Sequence, residues 1–192
     1  AGYQTFNVDY RLAPAHPYPA ALEDVRAAVE WIREPAQASR FGVDPDRIGA
    51  FGGSAGGNLV SMLGTWGRGS HAEGSRVAGV AELSAPIDLS GVAVTDDFEP
   101  VQLAYLGCEA RPCASARPAS PGTWIDPSDP PFFVAHSTEE MIPLAQAERF
   151  VTALRAADID TTFVTVTGSL HSLAMIDADL KKRILDFFAR TL

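Results

Sequence analysis

Residues 52–56 read Gly-Gly-Ser-Ala-Gly, inside a stretch with no charged side chain from Ile48 to Gly67. A GxSxG run does chemistry in one setting. A strand leads in, a helix leads out, and the turn between them lifts the serine hydroxyl clear of the sheet. Here the short strand "RIGAF" precedes Ser54 and a helical stretch from Gly56 to Met62 follows. Gly52, Gly53 and Gly56 then form the elbow, where a Cβ would crowd so tight a turn. Ser54 is the expected nucleophile. The N–H of the next residue, Ala55, would point to where an oxyanion forms. Glycine-rich loops also cradle phosphates, and that reading fails. A P-loop needs a Lys after its last glycine and a dinucleotide loop needs GxGxxG, and residues 52–57 offer neither. The bland alternative is a strand-to-helix turn with an inert serine.

A nucleophilic serine needs a base, and the base needs an orienting acid. Of the four histidines, His16 lies in a Pro-rich loop and His71 in a polar loop, both expected at the surface. His136 ends "PFFVAH", where a partly buried structural role is the better reading. His171 lies in "TGSLHSL", after the last strand and before the closing helix. The chain order Ser…acid…His places the base there. The acid is then sought past "PFFVAH", in "HSTEEMIP". Glu139 and Glu140 both qualify by position. Their other reading is a solvated pair at a helix N-terminus, favoured there by the helix dipole.

These residues need elements to position them. "YQTFNVDY" is apolar and β-rich and predicts a strand, followed by the Pro-rich loop "RLAPAHPYPA". After Pro19, Leu22, Val25, Ala28, Val29 and Ile32 have helical spacing. "FGVDPDR" is a turn. "RIGAF", "RVAGVAEL", "PFFVAH" and "TTFVTV" read as strands. Helices are expected from about Leu144 to Ala156 and from Asp177 to Leu192. Strands separated by helices predict an α/β fold, a mostly parallel sheet with helices on both faces, in one domain over residues 1–192. The region from about Leu89 to Pro130 breaks the alternation. Only "EPVQLAYLG" within it looks helical, and it is expected to be a short lid-like insert or a long ordered loop.

Composition excludes several classes. A chain of 192 residues has room for one sizeable core and is short for two. Its net charge of −9 and its lack of a basic patch argue against nucleic acid, since the run from Lys181 to Arg183 falls on an expected helix. The charge-free stretch from Ile48 has the length of a membrane span, but its glycines and its strand–turn–helix pattern exclude one. No signal peptide is visible and the chain begins with Ala1, so its start reads as processed or cut. Cys108 and Cys113, in "GCEARPC", are spaced for a small disulfide, with two free thiols as the other reading. Cytoplasmic and secreted locations both stay open, as does the oligomeric state. Asp126 and Asp129 are expected to shape a Pro-rich turn. Trp124, Phe98 and Tyr105 are expected in core or lid packing, with a pocket-lining role as the alternative.

The stretches "VDYRLAP", "YPAALEDVRAAVEWI", "FGVDPDRI", "GGSAGGNL" and "DPSDPPFFVAHS" resemble the α/β-hydrolase superfamily from the first residues to the last. They are similar to its hormone-sensitive-lipase-like and bacterial feruloyl- or acetyl-esterase-like branches. The resemblance implies Ser54 as nucleophile and His171 as base, and structural roles for Asp9 and Asp24. Counting on from His136 in the family's HGxxD pattern places the acid at Glu140. Counting back from Pro143 places it at Glu139, and Glu140 is the choice carried forward. Gly53 stands where the lipase-like branch usually has Asp, as in many feruloyl- or acetyl-esterase-like members. The family's HGGG-type loop and first strands have no counterpart here, which implies a chain lacking its N-terminal part and part of its oxyanion hole. The implied activity is hydrolysis of small carboxylic esters, including acetyl or feruloyl esters of sugars, through an acyl-enzyme and with no cofactor or metal. A serine peptidase of the same fold, or an impaired hydrolase-like protein, are the alternatives.

Overall fold

A computed structural model describes residues 2–90 and 98–192. Four strands form its sheet: β1 (Gly49–Gly53), β2 (Gly79–Leu83), β3 (Phe132–Ser137) and β4 (Thr161–Val166). They lie side by side in chain order, and every pairing is parallel. Parallel neighbours need crossovers, and the crossovers are helical. α1 (Ala20–Arg33) and α2 (Pro35–Phe41) precede the sheet, and α3 (Ala55–Thr65) joins β1 to β2. α5 (Leu144–Ala156) joins β3 to β4, and α6 (Ala178–Thr191) closes the chain.

The period of two along each strand divides the core. Val80, Phe132 and Val134 face one side, under Leu22, Val25 and Val29 of α1, Leu59 and Met62 of α3, and Phe150 and Leu154 of α5. Ala81, Leu83, Phe133 and Ala135 face the other side, under Leu180, Ile184, Phe187 and Phe188 of α6. The sheet therefore has helices on both faces, as the alternation predicts. α6 begins where expected, because the Asp177 carboxylate caps it by accepting the Leu180 N–H at 2.8 Å.

Two elements differ from the sequence pattern. "YQTFNVDY" is not a strand, since residues 3–10 lie in no ladder. Its side chains still alternate, with Phe6, Val8 and Tyr10 packed on the core and their neighbours exposed. Alternation reports a one-sided surface, however, and a strand also needs a hydrogen-bonding neighbour. Phe6 packs instead edge-on to Trp31 of α1 and Phe41 of α2. The second difference is α2 itself, a short helix that starts on Pro35 and stops at Gly42 in a left-handed turn.

The region from Leu89 to Pro130 contains α4 (Glu99–Leu106), where "EPVQLAYLG" predicts a helix. Residues 91–97 of that region lie outside the described residues. The rest has a small core of its own, made by Leu89, Leu106, Ala116 and Ala119. A Cys108–Cys113 disulfide closes the loop after α4. Tyr105 packs edge-on to Tyr18, and Trp124 stacks on Trp66 with ring centroids 5.2 Å apart, so both aromatics serve packing. Asp126 and Asp129 shape their turn, with the Asp129 carboxylate accepting the Asp126 N–H at 3.0 Å. Among the described residues, no helix is long and apolar enough to cross a membrane.

α3 can lie close to the sheet because Gly64 has no side chain. A Cβ there would stand 2.5 Å from Cζ of Phe132 and 2.9 Å from Val80. Helix propensity favours Gly64→Ala by about 1 kcal/mol. Overpacking against a fully buried ring costs roughly 1–3 kcal/mol. Steric crowding should win, so urea unfolding of Gly64→Ala is expected to show a net loss of stability. A gain would mean that α3 can move away from β3 freely.

Candidate active site

β1 ends at Gly53 and α3 begins at Ala55, so Ser54 alone makes the turn. It does so with φ at +55°, in the region that favours glycine. Such a residue is strained by roughly 1–3 kcal/mol and persists only where its surroundings fix it. Here the Ser54 N–H donates to the Leu83 carbonyl at 2.8 Å, and the Ser54 carbonyl accepts the Asn58 N–H at 3.0 Å. The elbow is crowded at two of its glycines. A Cβ on Gly52 would lie 2.4 Å from the Gly56 carbonyl oxygen, and one on Gly53 would lie 2.0 Å from Ser172 Oγ. Gly56 itself differs from expectation, because a Cβ there would meet nothing within 4 Å. It is the carbonyl of Gly56 that crowds the turn, rather than its α-carbon. Ala55 opens α3, so its N–H has no acceptor within the helix and sits at the positive end of the helix dipole.

His171 follows β4 and precedes a 3₁₀ turn, Ser172–Met175. Its Nδ1–H donates to Oε2 of Glu140, in the loop after β3. The Glu140 side chain is fully buried, whereas that of His171 keeps 29% of its surface exposed. A donor at Nδ1 fixes the tautomer that leaves Nε2 as the free acceptor. Glu139 is exposed, and among the described residues only its backbone is engaged, with its N–H donating to the Gly168 carbonyl at 2.9 Å. Of the two glutamates weighed from the sequence, the structure brings Glu140 to the imidazole. His16 is exposed, and His71 is half-buried, with Nε2 2.7 Å from the Ser128 carbonyl.

The elbow and the His171 loop meet through residues adjacent to Ser54 and His171. The Ser172 hydroxyl fills the space against Gly53, while the Ser172 N–H donates to Ser84 Oγ at 2.9 Å. Ser84 follows β2 and donates its own N–H to Ala135 of β3 at 2.9 Å. Ser84 and Ser172 both hold positive φ, at 55° and 57°. Among the described residues, no hydrogen bond links the Ser54 hydroxyl to the His171 ring. Four strand ends thus converge at the carboxyl edge of the sheet, which is where ligands bind in open α/β sheets.

A second pair of ionisable groups lies behind the site. Glu82 in β2 and His136 in β3 are both wholly buried. His136 Nε2 lies 2.9 Å from Oε1 of Glu140. Burial acts against the Glu140 carboxylate, but the polar groups of His136, His171 and Ser84 around it outweigh burial, and its pKa is held below the ordinary value. Burial pushes Glu82 the other way, up to about 8, against the opposing pull of His136 and the Ala85 N–H. The sequence does carry a signal for Glu82, a lone charge in the apolar strand "VAGVAEL". Its partners are invisible there, because they come from a different strand.

The sequence over residues 1–154 matches the family model described as BD-FAE. The chain belongs to the BD-FAE family. Its sheet, its helical layers and its elbow are those of the α/β-hydrolase superfamily. Esterase LipQ of Mycobacterium tuberculosis is 26% identical over 194 residues, covering 96% of this chain and 46% of LipQ. Carboxylesterase NlhH of the same organism is 51% identical over 57 residues, 30% of this chain and 17% of NlhH. A truncated form of a carbohydrate esterase from gut microbiota superposes with a TM-score of 0.81 at 25% identity, covering 95% of this chain and 72% of that one. This BD-FAE chain spans less than half the length of those curated relatives.

Glu82 makes stability depend on pH in a definite direction. Its carboxyl is neutral in both states at low pH. As pH rises from about 4.5 toward 8 the unfolded chain loses this proton first, so unfolding is favoured increasingly. Above about 8 the folded state must ionise a carboxyl that faces Glu140 across His136. Glu82→Gln removes the titration and keeps the shape. Between about pH 5 and pH 9, wild type should lose on the order of a few kcal/mol more stability than Glu82→Gln in urea unfolding. Parallel pH–stability curves would contradict the buried, protonated Glu82.

Proposed function

We propose that the chain is a serine hydrolase of carboxylic esters, working through an acyl-enzyme. The observation that carries this reading is the buried Glu140 carboxylate bonded to His171 beside the strained Ser54 elbow. Ser54 Oγ attacks the ester carbonyl carbon as His171 Nε2 takes its proton. The tetrahedral oxyanion lies against the Ala55 N–H at the start of α3, where a preformed donor acts without reorganising. Glu140 holds the imidazole in the required tautomer and stabilises the imidazolium. That imidazolium then gives its proton to the departing alcohol, and the C–O ester bond breaks. Water, deprotonated by His171, attacks the acyl-enzyme, releases the carboxylic acid and returns the proton to Ser54. None of these steps calls for a metal or a cofactor.

Residues 1–192 are read as one catalytic unit, with the region after Leu89 as a lid-like insert on its own small core. Relatives named as carboxylesterases and a structural neighbour named as a carbohydrate esterase support small esters, among them acetyl or feruloyl groups on sugars, as the substrate class. The net charge of −9 fits such a substrate better than nucleic acid.

Hydrolysis of p-nitrophenyl acetate tests the reading. Ser54→Ala should abolish turnover above the uncatalysed rate. Glu140→Gln, which favours the wrong histidine tautomer, should lower kcat by on the order of 10⁴. Glu139→Gln should leave kcat within about twofold, as an exposed residue away from such features. Full activity in Ser54→Ala would overturn the proposal, and a large effect confined to Glu139→Gln would move the acid.

A further inference from the structure

Glu140 presents two oxygens to two different histidines. Oε2 receives Nδ1–H of His171, and Oε1 lies 2.9 Å from Nε2 of His136. The mechanism above uses only the first. His136 is the last-but-one residue of β3, and its side chain has no exposure to solvent. A buried imidazole that serves only to fill space has no need of a carboxylate beside it, since burying charge is costly unless it is paired.

The hydrogen bonds of His136 define its state. Nε2 lies 2.7 Å from the Ile142 carbonyl, which can only accept, so Nε2 carries a proton. The same nitrogen faces Glu140 Oε1 without a linear hydrogen bond to it, so that contact is electrostatic. One N–H therefore reaches two points of a single loop, the Ile142 carbonyl and the Glu140 carboxylate. That loop runs from Thr138 to Pro143, between β3 and α5. Among the described residues, His136 Nδ1 and Glu82 Oε1 are both buried without a hydrogen-bond partner. The ionisable groups facing His136 are thus Glu140 from its own loop and Glu82 from β2; the Glu140 carboxylate favours its protonated form, and Glu82 does so once ionised.

We propose that His136 is a positioning residue for the acid. Its Nε2–H pins the loop after β3 through the Ile142 carbonyl and holds Glu140 so that Oε2 faces His171. A carboxylate can rotate about its last side-chain bond; Ser84 also favours its charged form, and His136 is the group that the structure sets against Oε1. Without His136, Oε2 loses its fixed aim, and His171 loses the partner that sets its tautomer. The inference rests on the reading of Glu140 as the acid of the proposed hydrolase.

The two imidazole nitrogens allow a direct test, because amide side chains of different length imitate them separately. His136→Gln can place an N–H near the position of Nε2, and His136→Asn near that of Nδ1. His136→Phe removes both. Two quantities are read on the full chain: kcat and KM for p-nitrophenyl acetate, and the downfield proton resonance of the His171 Nδ1–H···Glu140 hydrogen bond. Phe and Asn should lower kcat by at least about tenfold, below the roughly 10⁴-fold effect of the wrong tautomer, with KM unchanged. They should also shift or erase the downfield resonance. Gln should restore most of both. If the Phe variant does not fold, the contrast between Gln and Asn decides alone. The proposal is overturned if Phe or Asn keeps wild-type kcat and resonance, or if Gln and Asn fall equally. The resonance needs no turnover, so an inactive wild type that shows it, with a Gln-specific rescue, would sink the esterase reading and leave the positioning role standing.

Discussion

Glu140 has a fully buried carboxylate, and the rest of the site is arranged around keeping it charged. Isolating such a group from water is strongly unfavourable unless donors replace the lost solvent. His171 supplies one donor and His136 an adjacent electrostatic contact, with Ser84 also favouring the ionised form. These partners come from the ends of three different strands and their loops. The carboxylate therefore ties β2, β3 and β4 together at the edge where the chemistry is proposed. The pairing also has a direction. One oxygen aligns the half-buried imidazole of His171, and the other is turned toward the buried one of His136.

The backbone meets the same demand by other means. Ser54, Ser84 and Ser172 all hold positive φ at the carboxyl edge of the sheet. Each would be strained alone, and each is secured by a bond to another strand end or by the fit against a glycine. Ser54 N–H reaches β2, Ser84 N–H reaches β3, and Ser172 reaches both the Ser84 hydroxyl and the space over Gly53. Parallel register puts these strand ends at nearly the same height, with Gly53 opposite Leu83 and Leu83 opposite Ala135. A mobile sheet edge could not hold three such turns. The two-sided core, with α1, α3 and α5 on one face and α6 on the other, supplies the rigidity.

Much of this was legible in the sequence where the signal is local. Short apolar runs located β1 to β4, helical spacing located α1, and α5 lies over the residues expected. The elbow stood out because its glycines, its strand and its helix are contiguous. Choosing Glu140 over Glu139 required the resemblance to a family, since adjacent glutamates look alike until one is buried. Signals that depend on a partner were not legible. Residues 6–10 alternate like a strand, yet a ladder needs a neighbour, and Phe6 packs on α1 and α2 instead. His136 read as a structural histidine because the sequence does not reveal that its Nε2 faces Glu140. Gly56 read as a required gap, whereas its own α-carbon faces open space and its carbonyl does the crowding.

Ester cleavage as proposed needs one arrangement: Ser54 Oγ, the His171–Glu140 pair and the Ala55 N–H acting on a single tetrahedral centre. A crystal structure of the protein after reaction with a small alkyl phosphonate tests it most directly, because the adduct imitates that centre. The expected result is a covalent Ser54 Oγ–phosphorus bond, with the phosphonyl oxygen within hydrogen-bond distance of the Ala55 N–H and His171 Nε2 facing the adduct. In the same structure Glu140 should still accept from His171 Nδ1. Phosphonate on another residue, or on Ser54 with its oxygen turned away from Ala55 and His171 swung off Glu140, would contradict the account.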